Sequence, residues 1–289
     1  FNGEQERQNI MNKEKGLNNF ATRMIVNVLG IPAILLLIKT GRIPFATFIA
    51  LVTVLAQIEF YNLMTKKGFR PWVLGGLAMG IAWIVVAYLS PGLLFPLMIF
   101  VFLMFLGIML FKKIENAAGN IAVTMLGFIY IPVMLSLLIV LRESPNQFGG
   151  DYYEGSQLLM IVFASIWICD SLAFVFGKWL GRIKIAPSIS PGKSWAGCIA
   201  GLIGASITVY IFYILNWKPD YLNLSDMLVI GIISGIFGQA GDFIESVFKR
   251  DAEVKDSGTL LMGHGGVLDR FDSFLFAPAF VYLYVLFFI

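Results

Sequence analysis

The sequence predicts an all-α fold, a polytopic transmembrane helical bundle of about nine spans. Three observations predict it. Hydrophobic residues make up 58% of the 289 residues and charged residues only 13%, with a mean hydropathy of +0.81. A soluble domain carries about a quarter charged residues, so that class is excluded. Disorder is excluded too, because it needs low hydrophobicity and high net charge, and the net charge here is +3. Apolar stretches close to the ~20 residues that cross a bilayer recur along the chain. Lys and Arg alternate between the loops that separate them.

The stretches are roughly 24–38, 44–64, 72–89, 93–111, 120–141, 157–177, 197–216, 226–243 and 273–289. The first is short and contains Pro32, which moves its start nearer Phe20. The third and fourth meet at a Ser90-Pro91-Gly92 turn, and the eighth is Gly-rich and ends in polar residues. Charged and polar residues precede the first stretch, so no cleavable signal peptide is expected. Residues 1–10, before Met11, are an expression remnant or a native tail and carry no inference.

Seventeen of the 21 Lys and Arg fall in the N-terminal tail and in the loops after the second, fourth, sixth and eighth stretches. Basic loops stay cytoplasmic. The N-terminus and those four loops are therefore expected on the cytoplasmic side. Gly177 and Gly181, Gly197 and Gly201, and Gly231 and Gly235 stand four residues apart, the spacing that lets helices approach closely in lipid. No internal repeat is evident, which counts against an inverted-repeat transporter. Cys169 and Cys198 sit in apolar stretches and suggest no disulfide framework. His264 is the only histidine, which excludes a His-cluster zinc site.

Carboxylates inside a bilayer are costly, so each is a candidate site. Glu59 lies in the second stretch, and a pairing with Lys66 or Lys67 at the helix end is the bland reading of it. Asp170 lies deeper, in the sixth. Asp242 and Glu245 close the eighth. Residues 242–272 hold seven of the 18 acids, four basic residues and the histidine, interleaved with glycines. Carboxylates without His or Cys partners suit a hard cation such as Mg²⁺. Lys and Arg beside them suit phosphate oxygens, and the glycines of 263–266 let backbone N–H groups approach an anion. Together these are the parts of metal-assisted phosphoryl transfer. The other basic loop contains Gly192-Lys193-Ser194, but Pro187 stands where a Walker A glycine belongs and no strand precedes it. An NTPase P-loop is rejected, while phosphate binding by its lysine and hydroxyls stays open.

Ser246-x-Phe248-Lys249-Arg250, Lys255-Asp256-x-Gly258 and His264-Gly265-Gly266-x-x-Asp269-Arg270-x-Asp272 resemble the signature of the phosphatidate cytidylyltransferases, the CDP-diacylglycerol synthases. Asp170-Ser171-x-Ala173-Phe174 and Ser190-Pro191-x-Lys193-Ser194-Trp195 resemble further blocks of that family. The similarity covers roughly 160–289; the first half matches in hydropathy and in a Glu-bearing second span. The family usually has Pro where Met262 stands and Glu where Ala196 stands.

The resemblance implies a transferase of phospholipid biosynthesis that makes CDP-diacylglycerol and pyrophosphate from CTP and phosphatidic acid. It implies Mg²⁺ on Asp242 and Asp269, with K⁺ a candidate second cation. Glu245, one turn from Asp242, would assist the metal. Lys249, Arg250, Lys255 and Arg270 would neutralise phosphates. Ser190, Lys193, Ser194 and His264 would contact substrate, with Asp170, Asp256 and Asp272 close by. It also implies a homodimer in the bacterial inner membrane, membrane lipid as surroundings and no nucleic-acid partner. The chain then divides into a cytoplasmic tail (1–23), N-terminal helices (24–156) and a catalytic region (157–289). The rival readings are transfer to an ether-linked or polyprenyl lipid phosphate, a cation-coupled transporter using Glu59 and Asp170, and a catalytically silent homologue.

Overall fold

In lipid a backbone must satisfy its own hydrogen bonds, so apolar stretches of this length become helices. The computed structural model describes residues 29–109, 116–143, 145–258 and 265–289. In chain order they form α1 (Leu29–Thr40), α2 (Arg42–Lys66), α3 (Val73–Leu89), α4 (Leu94–Met109) and α5 (Ala117–Phe128). There follow α6 (Met134–Glu143), α7 (Tyr152–Leu180), α8 (Trp195–Ile214), α9 (Leu224–Asp251) and α10 (Leu268–Phe288). A π-helical turn, Ile129–Val133, joins α5 to α6 around Pro132, which has no N–H to donate. Among the described residues there is no strand, only one bridge between Lys184 and Ser194.

Seven of these segments are long and apolar enough to cross a membrane, with α5 through α6 counting as one; α1 and α3 are shorter. The N-terminal tail, the start of the first predicted span, Lys112 and Lys113, Met262 and His264 lie outside the described residues.

Three helices in the C-terminal half outrun the predicted stretches. Asp151 and Glu154 form a reciprocal cap that starts α7 early, and Asn223 and Asp226 do the same for α9. α10 begins at Leu268 rather than Ser273. Its first amides are satisfied by carboxylates from elsewhere, as described below.

The core lies between α2, α6, α7, α9 and α10, around Phe60, Ile139, Phe163 and Leu275. α8 is held against α7 and α9 through small residues. A Cβ on Gly197 would lie 2.6 Å from the Ala173 carbonyl oxygen, and one on Gly235 3.1 Å from the Leu202 Cα. At the end opposite the site, buried Arg142 donates to the carbonyls of Ile38 and Lys39 at 2.5 and 3.1 Å and closes the C-terminus of α1.

The loops sort to two ends. Lys67 pairs with Asp251 at 2.9 Å and Arg250 donates to the Ile189 carbonyl at 3.0 Å, which joins the loops after α2, α7 and α9. At the other end, the Arg42 N–H donates to Glu143 at 2.7 Å and the Asp220 N–H to Glu154 at 2.5 Å.

Candidate active site

At 1.5 Å per residue, the 29 residues of α7 and 28 of α9 reach roughly 42 Å, against ~30 Å of hydrocarbon. Residues 242–250 close α9 at the end where Lys67 meets Asp251. There a cavity of about 900 Å³ opens between α7, α8, α9 and α10. Asp170, Lys193, Asp242, Asp269 and Asp272 supply its polar wall, and Ile31, Trp167, Phe174 and Phe274 its apolar wall.

Asp242 and Glu245 are neighbours on α9, and Asp272 comes from the second turn of α10. One oxygen from each lies within 4.8 Å of the others. Glu245 is fully buried, and its Oε1 has no hydrogen-bond partner among the described residues. Carboxylates packed this closely repel one another unless a cation or a proton sits among them. The orphaned oxygen and the all-oxygen donor set fit a hard divalent cation.

Lys249 lies between Glu245 and Asp269 and ion-pairs with both, with 2.6 Å to the Asp269 Oδ1. The Asp269 Oδ2 accepts the Gly266 N–H at 2.7 Å and the Ser257 N–H at 3.0 Å. The resemblance assigns Asp269 to the metal; here its oxygens are engaged by Lys249 and by the loop, and Asp272 stands with Asp242 and Glu245 instead. Of the glycines expected to cradle a substrate anion, Gly266 holds a carboxylate of the chain itself, and Gly263 lies outside the described residues. Gly265 has a φ of +81°, and a Cβ there would come 2.6 Å from the Asp269 Oδ2, so only glycine fits.

Lys193 reaches across from the loop before α8. Its ammonium is 2.8 Å from the Asp242 Oδ2 and 3.8 Å from the centre of the Phe243 ring. Ser194 caps α8, its Oγ accepting the Gly197 N–H at 3.3 Å. Ser190 belongs to the turn below it, with its N–H donating to the Ala186 carbonyl at 2.9 Å.

The structure thus gathers Asp170, Lys193, Ser194, Asp242, Asp269, Arg270 and Asp272 on one cavity, with Glu245 and Lys249 packed behind. Ser190, Arg250, Lys255 and Asp256 are not among the lining residues. Arg250 instead ties the loop before α8 to the end of α9, donating to the Ile189 and Val254 carbonyls. Lys255 and Asp256 are exposed. His264 lies outside the described residues.

Sequence reasoning passed over Gln239, Lys178, Lys184 and Ser257. Gln239 lines the cavity and donates to the carbonyls of Gly235 and Cys198 at 2.8 and 3.2 Å. A lone amide in an apolar helix was the available signal. Ser257 stands inside the quoted signature, as an unassigned position.

The Cytidylyltransferase family model matches residues 21–288, nearly the whole chain and all of the site just described. The chain belongs to the cytidylyltransferase family. Among relatives of this cytidylyltransferase-family chain, a protein of Synechocystis sp. named phosphatidate cytidylyltransferase is 32% identical, over 91% of this chain and 95% of the relative. One of that name from Bacillus subtilis is 31% identical, over 90% and 95%. One from Haemophilus influenzae is 42% identical, in an alignment that spans about half of each chain, 50% and 51%. The family match extends over the N-terminal helices, where the motifs alone offered only hydropathy and a glutamate.

Proposed function

We propose that this chain transfers the cytidylyl group of CTP to phosphatidic acid, giving CDP-diacylglycerol and pyrophosphate. The observation that carries this reading is one cavity that joins the Asp242, Glu245 and Asp272 cluster and Lys193 to an apolar wall of Ile31, Trp167 and Phe174. Both substrates are polyanions, and one carries acyl chains that stay in lipid. A site for both needs cations at a polar wall and an apolar side.

In the reaction a phosphatidate oxygen attacks the α-phosphorus of CTP. The new P–O bond forms as the bond to the β-phosphate oxygen breaks, and pyrophosphate leaves with that electron pair. No covalent intermediate on the protein is needed. Asp242, Asp272 and Glu245 would hold Mg²⁺, with K⁺ as a candidate second cation. When bound, Mg²⁺ would neutralise charge on the phosphate chain and polarise the phosphorus. Lys193 and Arg270 would neutralise phosphate oxygens that the cation leaves uncovered. Lys249 keeps Glu245 and Asp269 in place rather than meeting substrate. Asp170 stands at the boundary between the polar and apolar walls, where the lipid phosphate would enter. Trp167 and Phe174 would seat the proximal acyl carbons.

The same reading places the N-terminus and the loops after α2, α4, α7 and α9 in the cytoplasm of a bacterial inner membrane, since those segments carry most of the basic residues. It takes α1 and α3 as spans, nine in all. Residues 157–289 act as the catalytic region, residues 24–156 as its support, and two copies pair as a homodimer.

The test is pyrophosphate release by purified full-length protein given CTP and Mg²⁺, with phosphatidic acid, with a polyprenyl phosphate, or with neither. Release that needs Mg²⁺ and phosphatidic acid is expected. Release only with the polyprenyl phosphate would move the assignment to that acceptor. No release with either lipid, from folded protein, would overturn the reading.

A further inference from the structure

Glu59 sits on α2, far in sequence from every residue of the signature, and is 6% exposed. It does not meet Lys66 or Lys67; Lys67 pairs with Asp251. Its Oε1 accepts the Val267 N–H at 3.0 Å, and its Oε2 accepts the Leu268 N–H at 2.8 Å. The Ser257 hydroxyl lies 3.1 Å from the same Oε2 and 3.0 Å from the Asp269 Oδ2. Two glycines make room for the carboxylate: a Cβ on Gly258 or on Gly266 would collide with it.

We infer that Glu59 is a positioning residue for the cytidylyl transfer: it caps α10 from α2 and so sets the direction in which Asp269 and Asp272 face. This inference rests on the proposed function. The first amides of a helix have no partner within it, and in α10 those of Val267 and Leu268 find theirs on Glu59. Without those partners the first turns of α10 would fray and lose the helical backbone that aims their side chains. Asp269 and Asp272 stand in those turns. Through Ser257 and Asp269 the same carboxylate connects to Lys249, and through Lys249 to Glu245. Only an acceptor suits the place, because two amides and a hydroxyl all turn toward it. The amide nitrogen of a glutamine would face one of those donors.

The test compares purified full-length wild type with Glu59→Gln and Ser257→Ala in detergent. Amide hydrogen exchange is followed at Val267 and Leu268. Turnover is measured as Mg²⁺ is varied, normalised to the monodisperse folded fraction. For Glu59→Gln, exchange at the two amides should rise by roughly tenfold or more while α7 keeps its protection. Turnover should fall by a similar factor, and half-saturating Mg²⁺ should rise severalfold. A mere loss of folded protein would leave half-saturating Mg²⁺ unchanged. Ser257→Ala should shift all three in the same direction by less, and it decides the matter where Glu59→Gln does not fold. Unchanged exchange at Val267 and Leu268, or unchanged Mg²⁺ dependence, would overturn the inference. A wild type with no lipid-dependent release fails the proposed function instead, and the exchange arm still reports on Glu59.

Discussion

Lys193, in the loop that enters α8, holds Asp242 of α9 in a 2.8 Å ion pair while its ammonium rests against the Phe243 ring. Both residues line the cavity, and the pair joins the loop before α8 to α9. A lysine so placed can pass from carboxylate to phosphate with a small rotation of a flexible stem. Lys193→Ala should raise the KM for CTP by roughly 10- to 100-fold, the range of a lost charge-assisted hydrogen bond. Lys193→Arg should recover part of that loss. A KM unchanged in the alanine variant would remove Lys193 from substrate binding.

Asp242→Asn and Asp272→Asn should each lower Mg²⁺-dependent turnover by about 100-fold or more, since each removes a charged oxygen from the cluster. Both proteins should still elute as folded protein. Wild type should gain thermal stability with rising Mg²⁺, by about 2.7 kcal/mol at 100 times its Kd, and neither variant should follow it. Equal stabilisation of wild type and variants would show that the cation does not sit there.

Arg142 is buried at the opposite end, where it donates to the last carbonyls of α1 and lies 4.4 Å from the Tyr152 ring centre. Arg142→Met should cost about 2–3 kcal/mol by leaving those carbonyls unpaired. The thermal midpoint should drop, while turnover per folded molecule holds. Turnover lost without any change in the midpoint would contradict a purely capping role.

Gly197→Ala places a methyl 2.6 Å from the Ala173 carbonyl oxygen and 3.0 Å from the Gly177 Cα. Helix backbones cannot yield as a flexible side chain can, so α7 and α8 must separate. A loss of about 1–3 kcal/mol is expected, read as a lower unfolding temperature in detergent. An unchanged unfolding temperature would mean that α8 is not locked against α7 at this point.

Single cysteines at Lys184 and Lys218, placed in a chain whose Cys169 and Cys198 are replaced, test the orientation. An impermeant maleimide should label Lys184→Cys only from the cytoplasmic side and Lys218→Cys only from the other. The reverse pattern would invert the bundle.

Much of the site was legible in the chain. Asp242, Glu245 and Lys249 share one helix at spacings of three and four, so their common face follows from 3.6 residues per turn. Asp269 and Asp272 repeat that spacing on the next helix. Which carboxylates of the two helices meet was not legible. Spacing cannot say that Asp272 reaches Asp242 while Asp269 turns to Lys249, because that depends on how α9 and α10 pack. Nor was it legible that Arg250 ties to the Ile189 carbonyl, or that Ser194 both caps α8 and lines the cavity.

By itself the sequence determined the all-helical membrane class, the expectation that the basic loops share one side, and the segments of the chain that carry the polar chemistry. These are local properties, set by runs of apolar residues and by charge near their ends. The tertiary structure alone decided where α10 begins, which acids cluster, and which donors Glu59 meets. Helix ends and buried carboxylates take whichever donors packing brings to them, and for α10 that partner lies 209 residues away from Leu268 along the chain.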